Sequence, residues 1–173
     1  MRAPVVVYLA LGSNQGDRRA AFGGALRALA AHGVRPCRLS PLYDTDYVGA
    51  FAPQDPYLNA VVEAHTQLGP IELLETLHAI ESAAGRAPDS HQLPRPLDID
   101  IVLYGDQDLN LPGLVVPHPR AGDRRFVLQP LADLGALAGR REWQLRLQAL
   151  ELVQALRAAG TLGVEEWRAQ PVA

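Results

Sequence analysis

The segment R-P-L-D-I-D-I-V-L-Y-G, residues 95–105, decides how this 173-residue chain is read. Side chains alternate along a strand, so Asp98 and Asp100 fall on one face about 6 to 7 Å apart while Ile99 and Ile101 enter the core. Aspartate is a poor strand former, yet two of them directly follow a proline-rich loop over Arg86 to Leu97. The stretch Asp98 to Tyr104 is therefore predicted as a strand whose polar face has a use.

The same alternation between strand and helix signals runs upstream. Val5 to Leu11 has the composition of a buried strand, Gly12-Ser13-Asn14 breaks it, and Asp17 opens a helix over Ala20 to Ala31 that Gly33 stops. Arg35 to Tyr43 reads as a short strand. Asp44 to Pro56 lacks periodicity and forms a loop of functional length. Leu58 to Thr66 returns to strand composition, and Pro70 starts a helix with the stripe Leu73, Leu77, Ile80 and Ala84, closed by Gly85. The order β-α-β-β-α-β predicts an α+β, ferredoxin-like sheet with helices packed on it. Beyond it, Phe126 to Leu134 and Gln144 to Ala158 read as helices covering the sheet or its edge, the second through Leu145, Leu152 and Leu156. The expectation is a single domain over 1–173, with a helical C-terminal extension after about residue 140.

Composition narrows the chemistry. The chain is 48% hydrophobic and 20% charged with net charge −3, which suits a globular protein and argues against a general nucleic-acid or membrane-surface binder. All 16 basic residues are arginine, so a Walker A loop and a lysine Schiff base are excluded. Cys37 is the single cysteine, which excludes an internal disulfide and predicts a buried, inert thiol in a reducing compartment. No stretch approaches a membrane span, and a cytoplasmic monomer is expected.

A paired D-x-D can hold magnesium, because a hard cation takes one or two carboxylates and completes its shell with waters and substrate phosphates. It also fits a solvent-facing strand. The surroundings favour the ligand reading: Arg86 and Arg95 bracket the preceding loop, and His118 and Arg124 stand in a proline- and glycine-rich segment where positive charge gathers. Tyr57 and Asn59 begin a strand just after the long loop. The segment G-S-N-Q-G-D resembles a phosphate-binding turn only weakly, since its glycines suit the strand-to-helix turn.

Together A-L-G-S-N-Q-G-D, P-Y-L-N-A-V, I-E-S-A-A-G-R, R-P-L-D-I-D-I-V-L-Y-G, V-P-H-P-R and R-R-F-V-L-Q-P-L resemble the 6-hydroxymethyl-7,8-dihydropterin pyrophosphokinase family of folate biosynthesis. The likeness runs from about Val7 to Leu134. It implies transfer of the β,γ-pyrophosphoryl group of ATP to the hydroxymethyl of a reduced pterin, with AMP released and two Mg2+ ions held by Asp98 and Asp100. It places Glu81, Arg86, Arg95, His118 and Arg124 on the ATP side, with Arg86, Arg95, Asp98 and Asp100 as the catalytic set. Thr45, Val48, Tyr57, Asn59 and Phe126 fall on the pterin side. The chain departs from the family after Arg86, where Pro88 replaces a second arginine and no tryptophan stands near Gln92. A catalytically weak pterin- or nucleotide-binding homologue and a metal-dependent phosphohydrolase are the competing readings.

Overall fold

A computed structural model describes residues 3–47, 54–87, 93–158 and 170–172, the last three and residues 156 and 157 by backbone alone. Val48 and Pro88 to Gln92 lie outside the described residues. Strands β1 (Val5–Ser13), β2 (Val34–Leu39), β3 (Leu42–Thr45), β4 (Tyr57–Thr66), β5 (Asp98–Tyr104) and β8 (Gln170–Val172) form one sheet. Its order is β5-β1-β4-β3-β8, with β2 beside β3 along the same flank of β4. The four strands expected from the sequence thus lie in the order fourth, first, third, second, all antiparallel, as a ferredoxin-like sheet requires.

Helices α1 (Arg18–Ala31) and α2 (Pro70–Ala83) cover one face. Asp17 caps α1 by accepting the Ala20 N–H at 2.9 Å, and Gly33 and Gly85 follow the two helices at φ 78° and 94°. Phe22, Leu29, Leu73, Leu77 and Ile80 pack there on Val7, Leu9, Leu11, Ile99 and Ile101. The other face carries Tyr8, Ala10, Val61 and Val102 beneath α3 (Arg125–Asp133), which α4 (Arg141–Ala158) buttresses. The alternation of β5 therefore divides as expected: isoleucines to the first layer, aspartates to the second.

Four expectations need correction. Arg35 to Tyr43 is two strands, because Ser40 interrupts the ladder: its N–H donates to Val61 O at 2.9 Å while its Oγ accepts the Val61 N–H at 3.0 Å, and Pro41 has no N–H to offer. Cys37 is exposed, since it lies at a register shift on β2 that turns its side chain out of the core. β1 continues through Gly12 to Ser13 rather than ending at Leu11. In α4, Leu145 and Leu152 are exposed; Trp143, Leu147 and Leu150 face inward, onto α3 and the 3-10 turn Ala121–Asp123 instead of the sheet. A short hairpin of β6 (Leu109–Leu111) and β7 (Leu114–Val116) also follows β5, turning at Pro112-Gly113.

Candidate active site

The antiparallel register sets one residue from each of three neighbouring strands in a row: Asp98 of β5 and Asn59 of β4 flank Gly12 of β1. Residues directly opposite one another share a face. A Cβ on Gly12 would lie 3.4 Å from Asn59 Oδ1, 3.7 Å from Tyr57 Cδ1 and 3.8 Å from Asp98 Cβ, so glycine leaves an open floor between the amide and the carboxylate. The next row holds Asp100, Ala10 and Val61.

On one side of that floor the charged residues converge. Arg86 Nη1 donates to Glu81 Oε1 and to Asp98 Oδ1, each at 2.5 Å, and Arg95 Nη1 donates to the same Asp98 oxygen at 3.1 Å. Two guanidinium groups from the ends of one loop therefore meet on one carboxylate. Glu81, on the last turn of α2, is buried and also accepts the Ile99 N–H at 2.7 Å. Burial pushes its pKa up to about 7, with Ile99 and Arg86 acting in the opposite direction.

Among the described residues Asp100 has no guanidinium partner in hydrogen-bond contact. Burial first, then the charge of Asp98, raises its pKa above the ordinary carboxylate range, while His118 and Arg124 oppose the rise. His118 Nε2 lies 3.9 Å from Asp100 Oδ2. Burial lowers the His118 pKa, and its Nδ1 accepts the Arg120 N–H at 3.2 Å, so the neutral ring carries its proton on Nε2 toward Asp100. Arg124, partly buried, lies over the Phe126 ring at 5.4 Å from its centroid.

On the other side of Gly12, Asn59 Nδ2 donates to Thr45 Oγ1 at 2.7 Å, both residues being buried. The Tyr57 ring stacks on Tyr47 with centroids 6.3 Å apart and planes at 26°. Burial raises the Tyr57 pKa, and the adjacent Arg95 guanidinium opposes it.

Thus Glu81, Arg86, Arg95, Asp98, Asp100, His118 and Arg124 gather at one end of the face, and Thr45, Tyr57 and Asn59 lie beside them. Phe126 stands in the first turn of α3 and connects to the first group through Arg124. Sequence reasoning missed Gly12, Tyr47 and Asn14, whose Oδ1 accepts the Arg95 N–H at 2.8 Å. The run G-S-N held the only signal for Gly12 and Asn14, and a turn explained its glycine equally well.

Crowded negative charge on Asp98 and Asp100 fits a hard cation with oxygen ligands. Among the described residues no group of three or more His, Cys, Asp or Glu side chains is arranged to hold a metal by itself.

Residues 8–136 match the family model described as 7,8-dihydro-6-hydroxymethylpterin-pyrophosphokinase (HPPK). The chain is 42% identical over 130 residues to the 2-amino-4-hydroxy-6-hydroxymethyldihydropteridine pyrophosphokinase of Bacillus subtilis, covering 75% of this chain and 77% of that protein. It is 46% identical over 129 residues to the Pseudomonas aeruginosa protein of the same name, covering 74% and 79%. A mitochondrial folate synthesis bifunctional protein of Arabidopsis thaliana is 44% identical over 128 residues; the match takes 74% of this chain and 23% of that one. Among solved structures, wild-type HPPK-DHPS of Plasmodium falciparum with pteroate superposes with TM-score 0.57 at 14% identity, over 77% of this chain and 39% of that chain. At that identity the likeness concerns the fold.

Proposed function

The chain belongs to the 7,8-dihydro-6-hydroxymethylpterin-pyrophosphokinase family, and on that premise we propose how its own side chains carry the reaction. The reaction moves the β,γ-pyrophosphoryl group of ATP to the hydroxymethyl oxygen of 6-hydroxymethyl-7,8-dihydropterin. The pterin hydroxyl oxygen forms a bond to the β-phosphorus and gives up its proton to solvent, the bond from that phosphorus to the oxygen it shares with the α-phosphorus breaks, and AMP departs carrying that oxygen. Such transfers need alignment and charge neutralisation rather than a covalent protein intermediate.

The observation that carries the assignment is the row Asp98, Gly12, Asn59. It puts a carboxylate suited to the metal–polyphosphate side and an amide suited to a heterocycle's donor-acceptor edge on either side of a residue with no side chain. Thr45 orients the Asn59 amide, and Tyr57 and Phe126 supply aromatic surface for the flat ring. Arg86, Arg95 and Arg124 present donors to phosphate oxygens, with His118 offering its Nε2–H. Arg86 and Arg95 already converge on Asp98, so an anionic phosphate bound beside it would meet two guanidinium groups at once.

Asp98 and Asp100 would hold magnesium, two ions in this proposal, which when bound neutralises polyphosphate charge. The proposal extends to one functional unit acting as a monomer. Among the described residues no helix is long and apolar enough to cross a membrane.

The test is product analysis with purified protein, ATP and magnesium, with and without the pterin alcohol. AMP formed only with the pterin is expected. Phosphate release without it would instead establish a hydrolase, and no turnover with tight pterin binding would establish a binding protein.

A further inference from the structure

Behind the pterin side, one arginine holds two chain segments together. β3 and β4 pair Tyr43 with Asn59, Asp44 with Leu58 and Thr45 with Tyr57, and beyond that last pair the chain leaves the sheet after Thr45 and returns at Tyr57. Neighbouring residues on a strand face opposite ways. Thr45 and Tyr57 therefore stand on the face that carries Gly12 and Asn59, whereas Asp44 lies opposite Leu58 on the face covered by α1 and α2.

Arg18, the first residue of α1, reaches both segments from that rear face. Its Nη1 donates to Asp44 Oδ1 at 2.5 Å and to Pro56 O at 3.0 Å. Asp44 immediately precedes Thr45 and Pro56 immediately precedes Tyr57, so one nitrogen holds the neighbours of both front-face residues. Pro56 has no N–H to donate to β3, and its carbonyl is bound by Arg18 instead. Asp17 caps the helix at the Ala20 N–H, which fixes the point from which Arg18 reaches.

We propose that Arg18 is a positioning residue for the pterin: by holding Asp44 and Pro56 together from behind, it sets Thr45 and Tyr57 in front, and with them the fit of the heterocycle between the Asn59 amide and the Tyr57 ring. It acts through the sheet, from the face opposite the substrate. The side chains of the ion pair are 33% exposed at Arg18 and 39% at Asp44, so dissolved salt weakens it. The pterin alcohol has no net charge at neutral pH, and its own contacts give its affinity no reason to depend on ionic strength. A salt-dependent pterin affinity that vanishes without Arg18 is therefore the signature of this clamp.

The proposal rests on the placement of Thr45, Tyr57 and Asn59 on the pterin side, and calorimetry on the full chain separates the two. The readout is the Kd of 6-hydroxymethyl-7,8-dihydropterin with magnesium and a saturating ATP analogue whose α- and β-phosphorus are joined by a methylene, which cannot transfer the group. Arg18→Ala should raise this Kd about two- to fivefold, the scale of a partly exposed pair, and leave the Kd of the analogue itself unchanged. The wild-type pterin Kd should rise between about 0.01 and 1 M salt, over which the Debye length falls from about 30 to 3 Å, and Arg18→Ala should remove that rise. Arg18→Lys, whose ammonium can donate to both oxygens, should restore most of the affinity. Asp44→Asn keeps an acceptor without the charge, so it should lose the salt dependence with a smaller rise in Kd, and it keeps the test available if Arg18→Ala does not fold. A merely structural role would lower the melting temperature and weaken both ligands together, or neither. A pterin Kd unchanged by Arg18→Ala, equal losses for both ligands, or a wild-type pterin Kd indifferent to salt would overturn the proposal while leaving the function standing. Failure of the wild type to bind the pterin would overturn the subsite assignment itself.

Discussion

Asp98 and Asp100 are chemically unequal although they share a face. Asp98 is held by two guanidinium groups, whereas Asp100 faces a neutral imidazole and is pushed toward protonation by burial and by Asp98. Asp98→Asn and Asp100→Asn should both lose most AMP formation at ordinary magnesium concentrations, since a carboxamide is a poor ligand for a hard cation. Asp100→Asn should nevertheless keep the wild-type melting temperature at pH 7, because the side chain is 42% exposed and contributes little to the core. Near-normal turnover in either variant would remove the pair from the metal site. Glu81 offers a pH test. Its folded pKa of about 7 stands above the unfolded value of 4.5, so its contribution is complete below about pH 4.5 and is lost as pH rises through about 7. Glu81→Gln stays neutral and keeps an acceptor for the Ile99 N–H. Urea midpoints at pH 5 and pH 8 should show the wild type losing ground to this variant at the higher pH; equal differences at both would mean that Glu81 titrates normally. The aspartate pair was legible because a two-residue period fixes which side chains share a face. Gly12 and Asn14 were not, because their roles arise from residues 40 or more positions away that only the folded sheet brings near.

Helix α4 begins beyond residue 136, where the family match ends, yet it packs on the segment proposed to contact ATP. The Arg146 side chain lies over Gly122, its Cδ 3.2 Å from where a Cβ would stand, and pairs with Asp123 and Glu142. Gly122 sits between His118 and Arg124, so the helix clamps the segment that carries both. Arg146→Ala should cost little stability, as exposed ion pairs contribute little. It should raise the KM for ATP by about two- to fivefold, on the scale of such a pair, with the pterin KM unchanged in steady-state assays. Equal changes in both constants would show a general loosening instead. The existence of this helix was legible in its composition, but its buried stripe was not. Leu145 and Leu152 offered as good a helical stripe as Trp143, Leu147 and Leu150, and only the docking partner chooses between them. The split between β2 and β3 was hidden for a related reason: Ser40 reads as one more polar residue until Val61 supplies both of its ladder bonds.

At the scale of the whole molecule, one sheet separates two apolar layers with different duties. The layer under α1 and α2 reaches the site chiefly through the backbone of β1 and β5 and through Glu81 at the end of α2. The layer under α3 directly supports Phe126 and Arg124, and by way of the 3-10 turn supports the segment after His118. Equal damage to the two layers should therefore have unequal consequences for function. Leu29 in α1 and Leu128 in α3 are each fully buried, and truncating either to alanine should cost about 2 to 5 kcal/mol, the usual range for a buried leucine. Leu29→Ala should unfold at lower urea but, assayed well below its melting temperature, keep both KM values and kcat. Leu128→Ala should lose comparable stability and also bind both substrates more weakly, because the cavity it leaves lies under the turn of helix that aims Phe126 and Arg124. Denaturant midpoints paired with KM measurements on the two variants decide the matter. Parallel kinetic losses in both would mean that the sheet transmits packing defects across its thickness, and that the site depends on the whole core rather than on the layer it stands on.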